Sequence, residues 1–449
     1  MSFTKEKFGN KHFLSLLGNG IMSVLGMATI AILCRVISIE AFGTWVFFQT
    51  ILLLLDTFRS GFITTAFIKF YTGVNKERSD DIEGSAWYIA LIITIALTGI
   101  NAVAYFFLPY IHNEGLRLII KWFAICFWSM LPYFMTTCIL QANQRFDRLL
   151  AIRFINQGSF IIAVIFFALT TDISLSHIII GYLISFLFSG LFSLAKGWIN
   201  IANLKNRTRG TVMQLYHFGK YTVGTSISAN LFRTSDVLII NFLLGPAAVA
   251  IYNIGQRLME LVEIPLRSFA ATGMPELAAA FNRDKKAEVI IIMKRYAGML
   301  TIALVPACLM AVAFADIAIA VIGGGKYTGT EAANVFRLFM TFALLYPADR
   351  FFALTLDVVH LPKINFYKVL IMLIANIVFD LLGIALFKNI YGVALATVVP
   401  TLIGVIIAFR ALNKYYMPFS FADVYKQGYT SLQLLLKKLP MKNFEKPDK

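Results

Sequence analysis

The sequence predicts an all-α polytopic membrane protein, with about twelve transmembrane helices in two pseudo-symmetric six-helix lobes around a central cavity. Composition, the spacing of apolar runs and the placement of Lys and Arg carry that prediction. Of 449 residues, 59% belong to the apolar and aromatic set and only 14% are charged, with a mean hydropathy of +0.74. A soluble globular chain has about 45–50% apolar and about 25% charged residues. Twelve spans of about 20 residues take about 240 residues. The remainder is divided among many loops, which excludes an attached soluble domain.

The elements follow in order. A basic start (Lys5, Lys7, Lys11) leads into an apolar run at 13–37. It lacks a small-residue cleavage site and is too long for a signal-peptide core, so it is expected to remain as span 1. Spans 2 to 6 are expected at 42–68, 85–108, 118–140, 151–171 and 176–199, and spans 7 to 12 at 216–244, 247–274, 290–315, 331–356, 363–387 and 391–412. Runs of this length argue for helices, because barrel strands are alternating segments of about ten residues. Beyond them lies a basic tail, 414–449, in which Leu432, Leu434, Leu435 and Leu436 precede Lys437, Lys438, Lys442, Lys446 and Lys449. This pattern predicts an interfacial helix on an anionic inner leaflet.

Orientation follows from the basic residues. With the N-terminus cytoplasmic, 27 of the 40 Lys and Arg fall in cytoplasmic segments, and the opposite loops hold only Arg117, Lys326 and Lys388. The formal charge of +16 is therefore mostly topological and gives no reason to expect nucleic acid. Both termini are expected inside.

An offset of 207 residues reveals an internal repeat. Ile37-Ser38-Ile39-Glu40-Ala41-Phe42-Gly43-Thr44-Trp45 lies over Leu244-Gly245-Pro246-Ala247-Ala248-Val249-Ala250-Ile251-Tyr252, Gln49 over Gln256, and Asp56 over Glu263. Spans 1 and 7 start on the same side, as expected of lobes related by an axis along the membrane normal. The expected divisions are an N-terminal lobe at 1–203, a C-terminal lobe at 204–413 and the tail at 414–449.

No catalytic or metal-binding constellation stands out. The five histidines are scattered, the four cysteines lie in apolar stretches without metal-site spacing, and Gly323-Gly324-Gly325 is not followed by the Lys-Ser/Thr of a phosphate loop. The informative residues are ionisable groups inside spans: Asp56, Arg59, Arg233, Asp236, Arg257, Glu260, Glu263, Arg267, Arg337, Asp349, Arg350 and Asp380. Each costs about 2.5–3.5 kcal/mol at a helix centre, so such groups avoid lipid. Gln49, Asp56 and Arg59 share an arc of about 80°, and Arg257, Glu260, Glu263 and Arg267 one of about 120°. A single pair is explained equally well as helix-to-helix glue; the whole set points to a hydrated cavity. Its arginines suit a bidentate anion such as phosphate.

Three stretches resemble the Wzx-like polysaccharide (O-antigen) flippases of the superfamily that also contains multidrug antiporters and lipid II flippases. They are Cys34-Arg35-Val36-Ile37-Ser38 leading into Glu40 to Trp45, Asp236 through Leu243-Leu244-Gly245-Pro246 to Tyr252 with Gln256-Arg257-Leu258, and Tyr391-Gly392-Val393-Ala394-Leu395-Ala396-Thr397. Two departures are Ala250, where a second Gly is usual, and the charged pair Asp56 and Arg59, where the pattern is apolar. The resemblance implies two six-helix lobes enclosing a cavity, and transfer of an undecaprenyl-pyrophosphate-linked oligosaccharide from the cytoplasmic to the periplasmic leaflet of the bacterial inner membrane. By position, Arg35 matches the Arg before the first external turn and Asp236 the acidic residue of span 7.

The leading expectation is an alternating-access flippase, with Arg35, Arg59, Arg233, Arg257 and Arg267 binding substrate and Asp56, Asp236, Glu260 and Glu263 as charge partners or ion-coupling groups. No cofactor is expected; the carboxylates leave room for coupling to Na+ or H+. Expected partners are the lipid-linked oligosaccharide, anionic lipids and polysaccharide assembly enzymes. Two alternatives stand beside this reading: an ion-coupled multidrug antiporter, and a membrane-embedded polymerase or ligase, for which the external loops are too short. Reporter fusions test the topology. A reporter active only in the cytoplasm should work at Lys205, and one active only outside should work at Lys326; the reverse pattern overturns it.

Overall fold

The computed structural model describes residues 3–438, and side-chain surroundings at Gly18 and over 20–434. Lys442, Lys446 and Lys449 lie outside the described residues, as do the side chains of Lys5, Lys7, Lys11, Leu435, Leu436, Lys437 and Lys438. Among the described residues the regular secondary structure is helical, joined by turns and short loops. Helices α1 (Phe3–Val36), α2 (Ile39–Tyr71), α3 (Lys76–Phe106), α4 (Glu114–Ala142), α5 (Phe146–Thr170), α6 (Leu175–Ala195) and α7 (Arg209–Leu243) coincide with spans 1 to 7. Span 8 comprises α8 (Pro246–Leu258) and α9 (Glu260–Asn282), and span 9 is α10 (Lys286–Ala313). After α11 (Ala315–Gly323), span 10 comprises α12 (Ala332–Phe342) and α13 (Tyr346–Val358), span 11 is α14 (Pro362–Phe387), and span 12 comprises α15 (Ile390–Ala396) and α16 (Val398–Tyr415). The tail forms α17 (Phe421–Lys438).

Local chemistry sets the boundaries. Ser38 Oγ accepts the Ala41 N–H at 3.1 Å and starts α2; Asn75, Asn113 and Thr208 do the same for α3, α4 and α7. Proline accounts for two breaks, because a ring without an N–H cannot bond the carbonyl four residues earlier. Pro347 follows the 3-10 turn at Ala343–Leu345, and Pro400 follows the end of α15 at Ala396. Among the described residues, eight spans are long and apolar enough to be recognised by length and hydropathy alone. Those that are not include the polar α7 and the two broken spans α8–α9 and α12–α13, which are also rich in ionisable residues.

Packing divides the chain into two compact units. The first comprises residues 1–257, 317–332 and 384–390. Its most extensive helix pair is α2 with α7, and glycine permits the close approach. A Cβ on Gly219 would stand 2.6 Å from the Phe62 carbonyl oxygen, and one on Gly61 3.0 Å from Val223 Cα. Thr222 Oγ1 donates to the Gly61 carbonyl at 2.6 Å. The repeat has a structural counterpart in this unit: a Cβ on Gly43 would lie 1.7 Å from the Pro246 carbonyl oxygen and 3.2 Å from the nitrogen of Ala250, its partner at the 207-residue offset. The two matched turns thus rest on each other.

The linker after α6 is fastened to the start of α3. Asp81 accepts from Thr208 N (2.9 Å), Thr211 Oγ1 (2.6 Å) and Arg78 Nη1 (2.7 Å), while Glu83 accepts from Asn200 N (2.9 Å) and Asn203 Nδ2 (3.0 Å). These bonds explain why α7 packs with the helices before it.

The second unit comprises 258–316, 333–383 and 391–449. Here α17 lies on α10, with Val424, Gly428 and Ser431 buried. A Cβ on Gly298 would meet the Val424 carbonyl oxygen at 2.0 Å. The amphipathic tail helix expected to lie on lipid therefore uses its buried face to cover protein.

Gly43→Ala should be disruptive, since overpacking against backbone costs about 1–3 kcal/mol. Its purified protein should melt below wild type, whereas Gly99→Ala, with open space around it, should melt at or above wild type.

Candidate functional site

In the first unit, α1, α2, α5, α6 and α8 enclose a polar pocket of about 150 Å³. Thr29, Gln49, Asn156, Gln157, Ser185, Asn253 and Arg257 supply its polar lining, and Trp45, Phe160 and Tyr182 supply aromatic walls. Helical spacing explains the convergence: Trp45 and Gln49 are one turn apart on α2, as are Asn253 and Arg257 on α8. Gln157 Nε2 donates to Thr29 Oγ1 at 2.5 Å, and Asn156 Nδ2 donates to Ser185 and Ser189 at 3.4 and 3.3 Å. Trp45 stacks on Phe160 at 5.8 Å and meets Tyr182 edge-on at 5.3 Å. Among the described residues, no carboxylate lines the pocket.

Of the arginines singled out in the sequence, Arg257 lines this pocket. Arg59 is fully buried elsewhere in the unit. It pairs with Asp56 at 2.5 Å, lies over Phe127 and Phe134 at 4.3 and 4.9 Å, and donates to the Phe127 carbonyl at 3.3 Å. An arginine expected on a wet face is instead enclosed between α2 and α4, where aromatic faces and one carboxylate replace water.

Arg35 also differs from expectation. It donates to the carbonyls of Val321 (2.6 Å), Ile322 (3.3 Å) and Ala31 (2.7 Å). Lys326 returns the contact by donating to the Arg35 and Ile37 carbonyls, each at 2.9 Å. Arg35 thus caps the C-terminal end of α11 and Lys326 that of α1, placements favoured by the helix dipole. Arg233 stands exposed on α7. Asp236 is buried and accepts a hydrogen bond from the Tyr252 hydroxyl, joining α7 to α8.

In the second unit, Glu263 and Arg267 form an ion pair along α9, with both side chains well exposed. Glu260 is half-buried. Arg337 pairs with Asp316. Lys368, within span 11, is buried and bonded to Asp349 at 2.8 Å. Asn376 donates to Asp380 at 3.1 Å. An apolar cavity of about 440 Å³ lies among α9, α10, α12 and α17, lined by residues such as Leu261, Phe269, Leu304 and Leu432. Among the described residues, no three His, Cys, Asp or Glu gather as metal ligands.

Reading the ionisable residues missed Thr29, Asn156, Gln157 and Asn253. The available signal was uncharged: adjacent amides at Asn156-Gln157 inside an otherwise apolar run.

A family model described as polysaccharide biosynthesis protein matches residues 8–281, more than half of the chain. The chain belongs to the polysaccharide biosynthesis protein family. A probable flippase, AglR of Haloferax volcanii, is 22% identical over 244 residues, which cover 54% of this chain and 50% of that protein. The match thus spans about half the length of that curated relative. In fold, this family member resembles the lipid II flippase MurJ in an inward closed conformation, with a TM-score of 0.72, 18% identity and coverage of 95% and 92% of the two chains. An inward-facing multidrug resistance MATE transporter gives a TM-score of 0.71 at 14% identity, covering 93% and 96%. Polytopic α-helical architecture is common to all three.

The Asp56–Arg59 pair gives a stability prediction. Asp56→Ala leaves a buried guanidinium unpaired and should cost about 3–5 kcal/mol. The double change Asp56→Leu/Arg59→Met should recover most of the lost thermal stability of the purified protein; equal losses in both would refute a buried-pair role.

Proposed function

We propose that this protein is a flippase that carries a polyprenyl-pyrophosphate-linked oligosaccharide, an O-antigen, capsule or exopolysaccharide repeat unit, across the bacterial inner membrane. The observation that carries the reading is the carboxylate-free polar pocket with Arg257 in its lining, set within a polysaccharide biosynthesis protein. A guanidinium offers the planar pair of donors that a phosphate oxygen pair accepts. Arg233 and Arg267, both exposed, are the further phosphate-binding candidates.

The polyprenyl tail stays in lipid while the charged head passes through protein. Alternating access follows from the repeat: lobes 1–203 and 204–413 rock about the site, which opens first to the cytoplasm and then to the outside. Both termini lie inside, where the basic loops and tail meet anionic lipid. Polysaccharide assembly enzymes would then supply and consume the cargo. Asp236, Glu260 and Glu263 are the groups for coupling to Na+ or H+.

Export of organic cations is the second reading, favoured by the fold shared with the MATE transporter. Drug susceptibility of a deletion strain separates the two. The flippase reading expects loss of surface glycan with unchanged drug tolerance. Within it, Arg257→Ala combined with Arg233→Ala and Arg267→Ala should reduce surface glycan at least tenfold at normal protein level. Wild-type glycan from the triple variant would overturn the cationic site.

A further inference from the structure

The pocket in the first unit has a chemistry of its own. Among the described residues its lining holds four amide side chains, Gln49, Asn156, Gln157 and Asn253, and no carboxylate. A cationic ligand finds no counter-charge there. An amide presents a donor and an acceptor at fixed spacing, which matches the vicinal hydroxyl or acetamido groups of a sugar. The aromatic walls are rigid, since Trp45, Phe160 and Tyr182 pack on one another at 5.3–5.8 Å, and aromatic faces suit the C–H faces of a pyranose.

Two of the amides are fixed and two are available. The side-chain nitrogens of Asn156 and Gln157 donate to Ser185, Ser189 and Thr29, so their carbonyl oxygens are held in place. Asn253 is only 5% exposed and lines the pocket, yet within the described residues its side chain makes no hydrogen bond. Its amide lines the pocket, where a ligand or water can complete its hydrogen bonds. Gln49, one turn from Trp45, is likewise without a hydrogen-bond partner among the described residues. The volume of about 150 Å³ falls below the roughly 300–1,000 Å³ of pockets for drug-sized ligands. It suits one sugar ring.

We infer that this pocket reads a single sugar of the lipid-linked cargo, the one attached to the pyrophosphate, with Asn253 and Gln49 hydrogen-bonding its hydroxyl or acetamido groups and Arg257 holding the adjoining phosphate. This inference rests on the flippase reading. It makes the pocket a specificity device, because a site built around hydrogen bonds rejects a ligand that leaves its polar groups unpaired.

The test uses the full chain in lipid nanodiscs and binding of defined probes. These are undecaprenyl pyrophosphate without sugar, and the same lipid carrying one N-acetylglucosamine, N-acetylgalactosamine, glucose or galactose. Wild type should bind at least one sugar-bearing lipid more tightly than the sugarless one, by about five- to tenfold per hydrogen bond gained. Asn253→Ala and Gln49→Ala should each lower that preference toward unity, with binding of the sugarless lipid reporting that each variant is folded. If every sugar-bearing lipid binds wild type no better than the sugarless one, or if the variants keep the full preference, the sugar pocket is wrong and the flippase reading stands. If wild type binds none of these lipids, the flippase reading fails and the pocket assignment fails with it.

Discussion

A charged side chain in a membrane-spanning helix must find its partner inside the protein, because hydrocarbon offers none. That constraint shapes both compact units. Arg59 rests between Asp56 and two phenylalanine rings, Asp236 takes the Tyr252 hydroxyl, and Lys368 takes Asp349. Interhelical polar contacts average only about 0.6 kcal/mol, so their weight lies in what their loss would leave: an unpaired charge out of reach of water. Such pairs fix which helix faces meet, and with them the walls of any cavity.

Close backbone approach is the second device. Gly43, Gly61 and Gly219 stand where a neighbouring backbone or ring already occupies the place of a side chain. The contact of Gly43 with the start of α8 is the one most directly linked to function. It seats the first turn of α8, and the next turns of the same helix carry Asn253 and Arg257 into the pocket. The packing that makes the first unit compact therefore also sets the pocket's polar lining.

The linker has a comparable double role. Asp81 and Glu83 bond to Asn200, Asn203, Thr208 and Thr211 and hold the start of α7 beside α3. Hence α7 and α8 pack with α1 to α6 although they open the second copy of the repeat. Motion between sequence lobes would have to move these polar contacts.

The helices were legible in the sequence because burial in lipid is enforced residue by residue: among the described residues each apolar run falls on one helix or on a broken pair, with breaks at Met259 and near Pro347 and Pro400. The polysaccharide family was legible too, through the turn at Ile37-Ser38, the stretch Asp236 to Tyr252 and the opening of the last span. The site was only partly so. Spacing placed Arg59, Asp56 and Gln49 on one helix arc, yet a helix arc is wider than one environment: Gln49 reached the pocket and Arg59 was enclosed by α4. Arg35, named by resemblance, donates its hydrogen bonds to a distant helix end. Sequence alone determined the spans and the charges that demand partners, since both depend on each residue's own transfer free energy. Only tertiary structure decided which charge is paired, which is exposed, and where Asn156, Gln157 and Asn253 meet Arg257, because those depend on contacts between residues far apart in the chain.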